Sequence, residues 1–111
     1  MSILMAMLML QPGDPEKVAA AAFEKCMLDT GRAWSSGTDG ADIIARAVRS
    51  KCGPRELELR DVSLAGANPN WDARQKAAHR DMVVMFVDAM GKGLQNKVEA
   101  MVVERRATGR R

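Results

Sequence analysis

Two cysteines, Cys26 and Cys52, a lone histidine, His79, and the triplets Asp29-Thr30-Gly31 and Gly91-Lys92-Gly93 are the positions whose residue types could carry chemistry. The cysteines are too far apart for a CxxC redox motif, and with one histidine they cannot complete a four-ligand zinc site without carboxylates. They form a pair, or they stand as two separate thiols. Asp29-Thr30-Gly31 matches the core triplet of aspartic proteases, which need two carboxylates sharing a proton. That triplet belongs in a strand and loop, whereas here it interrupts an alanine-rich helical pattern, so protease chemistry is not expected. Gly91-Lys92-Gly93 lacks both the leading glycine and the Ser/Thr of a phosphate loop. His79 lies near Asp72, Arg80 and Asp81 without a nucleophile at any motif spacing, and is read as a surface or boundary histidine. GxSxG, HExxH and EF-hand patterns are absent. The sequence therefore assigns no catalytic residue, no cofactor and no metal ligand, and the protein is expected not to be an enzyme.

The elements that place these residues are helical. The chain has 111 residues, of which 4% are aromatic, with nine Met and no Tyr; by count, Ala is its commonest residue. Ala and Met enter helices at little cost, whereas strands favour aromatic and β-branched residues. A single all-α domain over 14–106 is expected. Asp14 as cap, Pro15 at the first position and Glu16 in the first turn open a helix over about 15–35. Its apolar stripe runs Val18, Ala19, Ala22, Phe23, Cys26, Met27, Ala33 and Trp34, broken by Thr30, and Gly31 does not forbid continuation. The cluster Ser35-Ser36-Gly37-Thr38-Asp39-Gly40 makes a turn, with Thr38 or Asp39 as cap for a helix over about 41–52 that carries Ile43, Ile44, Ala47, Val48 and Cys52 on one stripe. Residues 54–65 fit a short helix through Pro54, a Glu56/Arg60 pair and the Leu57/Leu64 spacing, although Leu57 and Leu59 alternate like a strand.

A long last helix, about 69–106, is expected from Asn68-Pro69 onward. Met82-Val83-Val84-Met85-Phe86-Val87 is apolar on every side, so the middle of this helix is expected to be the most buried part of the protein, with Leu94 to Arg106 extending beyond the core as an arm. Gly91 and Gly93 are the expected place for a kink or split. Met82, Met85, Met90 and Met101 are read as core filling, with a pliable binding surface as the alternative.

With the helices placed, the cysteines can be paired. A short turn makes the first two helices antiparallel neighbours, and residues equidistant from the turn then face each other. The midpoint of positions 26 and 52 is 39, inside the turn, and both cysteines sit on the apolar stripes. A Cys26–Cys52 disulfide is expected, closing a loop of about 27 residues worth roughly 3–4 kcal/mol in the chain-entropy description. The sequence from Phe23 to Leu28, then Ala41 to Cys52, followed by a basic C-terminal helix, resembles small exported all-helical proteins of bacteria that carry one cysteine in each helix of a hairpin. The resemblance implies a periplasmic or secreted, oxidising location and supplies no activity; a cytoplasmic location is the alternative.

Charge and the two chain ends bound the partners. The net charge is +3, and it is uneven: residues 1–71 carry eight Lys/Arg against nine Asp/Glu, and residues 72–111 carry nine against five. Residues 107–111 are read as a basic tail, and Arg105, Arg106, Arg110 and Arg111 are the candidate contacts with a partner or an anionic surface. No aromatic interleaving, zinc-finger spacing or recognition module accompanies them, so nucleic acid is the less expected partner. The run Ile3 to Leu10 is too short to span a bilayer. Residues 1–13 are either a short export leader or a retained apolar segment that packs on the domain or on a partner. Two functions follow: a non-catalytic exported binding or structural protein, and alternatively a cytosolic regulator that binds nucleic acid through its basic last helix.

Overall fold

Residues 14–109 are described by the computed structural model; the expectations for residues 1–13, Arg110 and Arg111 lie outside them. Among these residues four helices follow in order: α1 Pro15–Trp34, α2 Ala41–Lys51, α3 Gly53–Ala65 and α4 Ala73–Gly109. Among the described residues there is no strand. α1 starts as its sequence dictates, with Pro15 in the first turn and the Asp14 side chain accepting from the Glu16 amide at 3.0 Å. Gly40 instead stands at the cap position of α2, with no side-chain cap, so neither Thr38 nor Asp39 plays the expected role. The ambiguous segment is helical, and α3 follows α2 after the single residue Cys52. Glu56 does not pair with Arg60; it turns back to Arg49 of α2.

α4 starts four residues later than Pro69. Asp72 accepts from the Gln75 amide at 2.8 Å while the Gln75 side chain accepts from the Asp72 amide at 3.0 Å. This reciprocal capping box satisfies two amide donors that would otherwise be unpaired at the helix start. The helix then passes through Gly91 and Gly93 as one element and continues to Gly109, so there is no split at the glycines and residues 107–109 are helical rather than tail.

The core is displaced from its expected position. Phe23 and Met27 of α1, Val48 of α2, Cys52, Leu59 of α3, and Val98 and Val102 of α4 are its largest fully buried side chains. Each such aliphatic or aromatic side chain contributes roughly 1.5–3 kcal/mol by leaving water. Val98 and Val102 belong to the stretch expected to project as an arm, and they are core. The all-apolar stretch Met82–Val87 buries only Val83 and Val87, while Met82, Met85 and Phe86 are 68%, 72% and 59% exposed. The cause is geometric. α1, α2 and α3 all pack on one side of α4, and the six buried residues Val83, Val87, Gly91, Leu94, Val98 and Val102 fall within about 100° of arc at 3.6 residues per turn. Among the described residues, an apolar side chain on the other side of α4 has no packing partner.

Two glycines set how closely the helices approach. A Cβ on Gly31 would stand 2.8 Å from Met101 Cε and 2.9 Å from Val98 Cγ1, so α1 and α4 touch through the missing side chain. Gly91 plays the same part for Arg49, whose guanidinium would lie 2.5–2.8 Å from a Cβ built there.

Candidate functional site

Cys26 and Cys52 are bonded, with their sulfurs 2.08 Å and their Cα atoms 5.9 Å apart. The bond joins the middle of α1 to the joint between α2 and α3. Thr30, one turn beyond Cys26, places Oγ1 at 4.0 Å from Cys26 Sγ and 3.9 Å from Cys52 Sγ. A disulfide has no proton, so the threonine hydroxyl is the donor. This explains the polar break in the apolar stripe of α1. The protease-like triplet is thereby dispersed: Thr30 faces the disulfide, Gly31 is buried against α4, and Asp29 is exposed between Lys25 at 2.7 Å and Arg32 at 2.6 Å. Those two cations, Lys25 foremost, hold the Asp29 carboxyl below the ordinary carboxylate range.

Of the four candidate arginines, Arg105 and Arg106 are described, and both are tied to the α1–α2 turn. Arg105 Nε donates to Ser35 Oγ at 3.0 Å, Arg106 Nε donates to the Ser35 carbonyl at 3.2 Å, and Arg106 also donates to the Gly37 carbonyl. Ser35 Oγ donates in turn to the Arg32 carbonyl at 2.8 Å. Arg106 therefore caps the carbonyl-rich end of α1, where cations are favoured by the helix dipole, and Arg105 reaches the same end through the Ser35 hydroxyl. An open cleft of about 520 Å³ lies between Ser35–Thr38 and Arg105, Arg106 and Gly109.

His79 packs on Trp71, ring centroids 5.2 Å apart. With Glu16, Ser63, Met82, Val83 and Phe86 it lines a cleft of about 400 Å³. Ser63 Oγ is buried without a hydrogen-bond partner, so the serine and the histidine on this cleft are not coupled as nucleophile and base. Among the described residues, no group of three or more His, Cys, Asp or Glu is placed to hold a metal.

The most extensive feature is apolar. Met82, Met85 and Phe86 stand exposed on α4, with Ala78, Ala89 and Gly93 on the same side of the helix. On one shoulder, Leu57 of α3 joins Val84 and Met85 along a second cleft of about 430 Å³ that also includes Arg60 and Asp88. On the other shoulder lies the His79 cleft. The methionine stripe thus divides: Met90 and Met101 are half-buried against the core, whereas Met82 and Met85 face outward, correcting the assignment of all four to core filling. A large exposed apolar group has no gain from standing in water, and a contiguous set of them marks a contact surface. Ile43 and Trp34 at the far end of α1 and α2 are also exposed, although the sequence stripes placed them inside.

Nothing matches. No family model, no curated protein and no solved structure corresponds to this chain. Function is accordingly argued from the surfaces just described. No helix among the described residues is long and apolar enough to cross a membrane.

Arg49 is the electrostatic centre of the fold. Its Nε and Nη2 donate to the two carboxylate oxygens of Glu56 at 3.1 and 2.9 Å, and Nη2 also reaches Asp88 Oδ1 at 3.2 Å. The pairing with Glu56, opposed by partial desolvation, raises the Arg49 pKa. Lys92 and then Arg49 lower that of Asp88. One side chain thus links α2, α3 and α4, and it does so half-buried beside the apolar shoulder.

Proposed function

We propose that this protein is a small exported helical binding module that acts through its surface and not by catalysis. The observation that carries this reading is the exposed apolar side of α4, centred on Met82, Met85 and Phe86. A disulfide between α1 and the α2–α3 joint fits an oxidising compartment, where such bonds persist. Methionine suits such a surface because its flexible, polarizable side chain fits irregular partners. The nucleic-acid reading draws less support, since Arg105 and Arg106 are already engaged by Ser35 and Gly37.

Two measurements test the proposal. Fluorescence of an apolar dye with the native protein, diluted until it is monomeric, is expected to rise on binding and to be lost in Phe86→Glu; absence of dye binding by the monomer at native pH removes the surface reading. Intact mass of protein isolated without reductant, taken before and after reduction, is expected to differ by the two hydrogens of one disulfide. Two free thiols in the native protein would remove the exported reading.

A further inference from the structure

The apolar side of α4 does not stand alone; it carries a charged flank whose order identifies its occupant. At 3.6 residues per turn, Ala78, Met82, Met85, Phe86, Ala89 and Gly93 share an arc of about 100° opposite the core. About 80° to one side of that arc's centre stand, in chain order, Arg74, Asp81, Lys92 and Glu99. Two helices packed antiparallel about a two-fold axis bring the same flank of each together in reverse order. Arg74 and Glu99 are equidistant from the point between Phe86 and Val87, and Asp81 and Lys92 are equidistant from that same point. Reversal about it therefore sets each cation opposite an anion, twice on each side of the axis. The apolar set has its own centre between Met85 and Phe86, one residue away, or about 1.5 Å along the helix.

We infer that the α4 surface is occupied by a second copy of this chain, packed antiparallel along α4 with the two-fold axis near Phe86. The inference rests on the reading of this surface as a binding face. Met82 meets Ala89 of the other copy, and Ala78 meets Gly93, so large residues oppose small ones on either side of Met85 and Phe86. Among the described residues Arg74, Asp81 and Glu99 form no ion pair within the chain, which leaves them to pair across the axis. Lys92 contacts Asp88 at 3.0 Å with its side chain 68% exposed, so its ammonium can bridge both carboxylates. Parallel packing leaves the reverse-order match unused.

Sedimentation equilibrium of the full chain, from micromolar to near-millimolar concentration, tests this. The expected result is a monomer–dimer equilibrium. Phe86→Glu is expected to weaken dimerisation at least about a hundredfold by placing a charge on the axis. Far-UV circular dichroism checks that its helices are intact, and Phe86 is exposed, so the fold does not depend on it. Asp81→Lys and Lys92→Asp are each expected to weaken the dimer about two- to tenfold, and the two together to restore it. A chain that stays monomeric throughout overturns the inference. So does a dimer indifferent to Phe86→Glu, or one in which the double reversal is no better than the singles. A monomer that still binds apolar dye through Phe86 sinks the second copy and keeps the binding face, with the chain's own residues 3–10 or a different protein as its occupant. A monomer without dye binding sinks both.

Discussion

The guanidinium of Arg49 occupies the space in which a side chain at position 91 would stand. A Cβ on Gly91 would come within 2.5 Å of Nη2, 2.7 Å of Cζ and 2.8 Å of Nε. The arginine cannot easily give way, because Glu56 grips it through two hydrogen bonds and Asp88 through a third. Gly91→Ala would gain about 1 kcal/mol in helix propensity, yet displacing Arg49 reverses the sign. The expected outcome is destabilisation by about 1–3 kcal/mol in urea unfolding. In an Arg49→Ala background the same change is expected to be neutral or stabilising. A Gly91→Ala protein more stable than the parent would show that Arg49 moves freely.

The disulfide supplies a second expectation. Reducing it, or replacing Cys26 and Cys52 with Ala, closes no loop in the unfolded chain and is expected to lower stability by about 3 kcal/mol. Denaturant midpoints with and without reductant measure this. A shift worth under about 1 kcal/mol would mean that helix packing alone sets the hairpin.

Acid should destabilise the protein by a definite route. Asp29 and Asp88 have folded-state pKa values below the ordinary 3.8, lowered chiefly by Lys25 and Lys92 respectively. A carboxylate depressed on folding contributes stability above its unfolded pKa, and that contribution is lost as pH falls through the folded value. Melting temperature is therefore expected to be flat from pH 7 to about 5 and to fall below about 4. Asp88→Asn should flatten part of that fall while lowering stability at pH 7. An identical acid profile in the variant would place the sensitivity elsewhere.

Ser63 and Ser35 should respond oppositely to alanine. Ser63 Oγ is buried with no partner, so Ser63→Ala is expected to be neutral or stabilising by up to about 1 kcal/mol. Ser35 Oγ both donates to the Arg32 carbonyl and accepts from Arg105, so Ser35→Ala is expected to cost about 1–2 kcal/mol. Thermal unfolding of the two variants separates them; equal losses would imply a partner for Ser63.

The reversal of core and surface along α4 can be tested with two truncations. Val98→Ala removes fully buried methyl groups and is expected to cost about 2 kcal/mol. Met85→Ala, at an exposed position, should stay within about 0.5 kcal/mol. Denaturation of both at concentrations below any self-association decides the matter, and a larger loss at Met85 would restore the centre of the core to the apolar run.

Local signals in the sequence carried the helices and the disulfide because each depends on neighbours in the chain. Asp14, Pro15 and Glu16 specify the start of α1 by capping chemistry alone, and the turn at Ser35–Gly40 places Cys26 and Cys52 at one height. The start of α4 was legible in principle: Asp72 with Gln75 three residues on is a capping-box spacing, but Asn68-Pro69 offered a competing start. Burial was not legible, because Met82–Val87 is apolar all round and its periodicity does not say which side other helices cover. Three helices on one side of α4 decide it, and that is tertiary. Arg49 is the site residue most fully missed. Nothing near it in sequence signals that Glu56 pairs with Arg49 rather than with Arg60, or that Gly91 gives the guanidinium room.

The last turns of α4 close the structure upon its beginning. Val98 and Met101 fill the hollow at Gly31, and Arg105 and Arg106 hold Ser35 and Gly37. During synthesis the chain emerges from its N-terminus, so the hollow at Gly31 of α1 stays unfilled until Val98 and Met101 have been made. A nascent chain halted before Val98 holds the first three helices without the last turns of α4 that pack on Gly31. Its two thiols are then accessible to other thiols, which makes the interval before Val98 and Met101 emerge the one in which this protein is most exposed to misassembly.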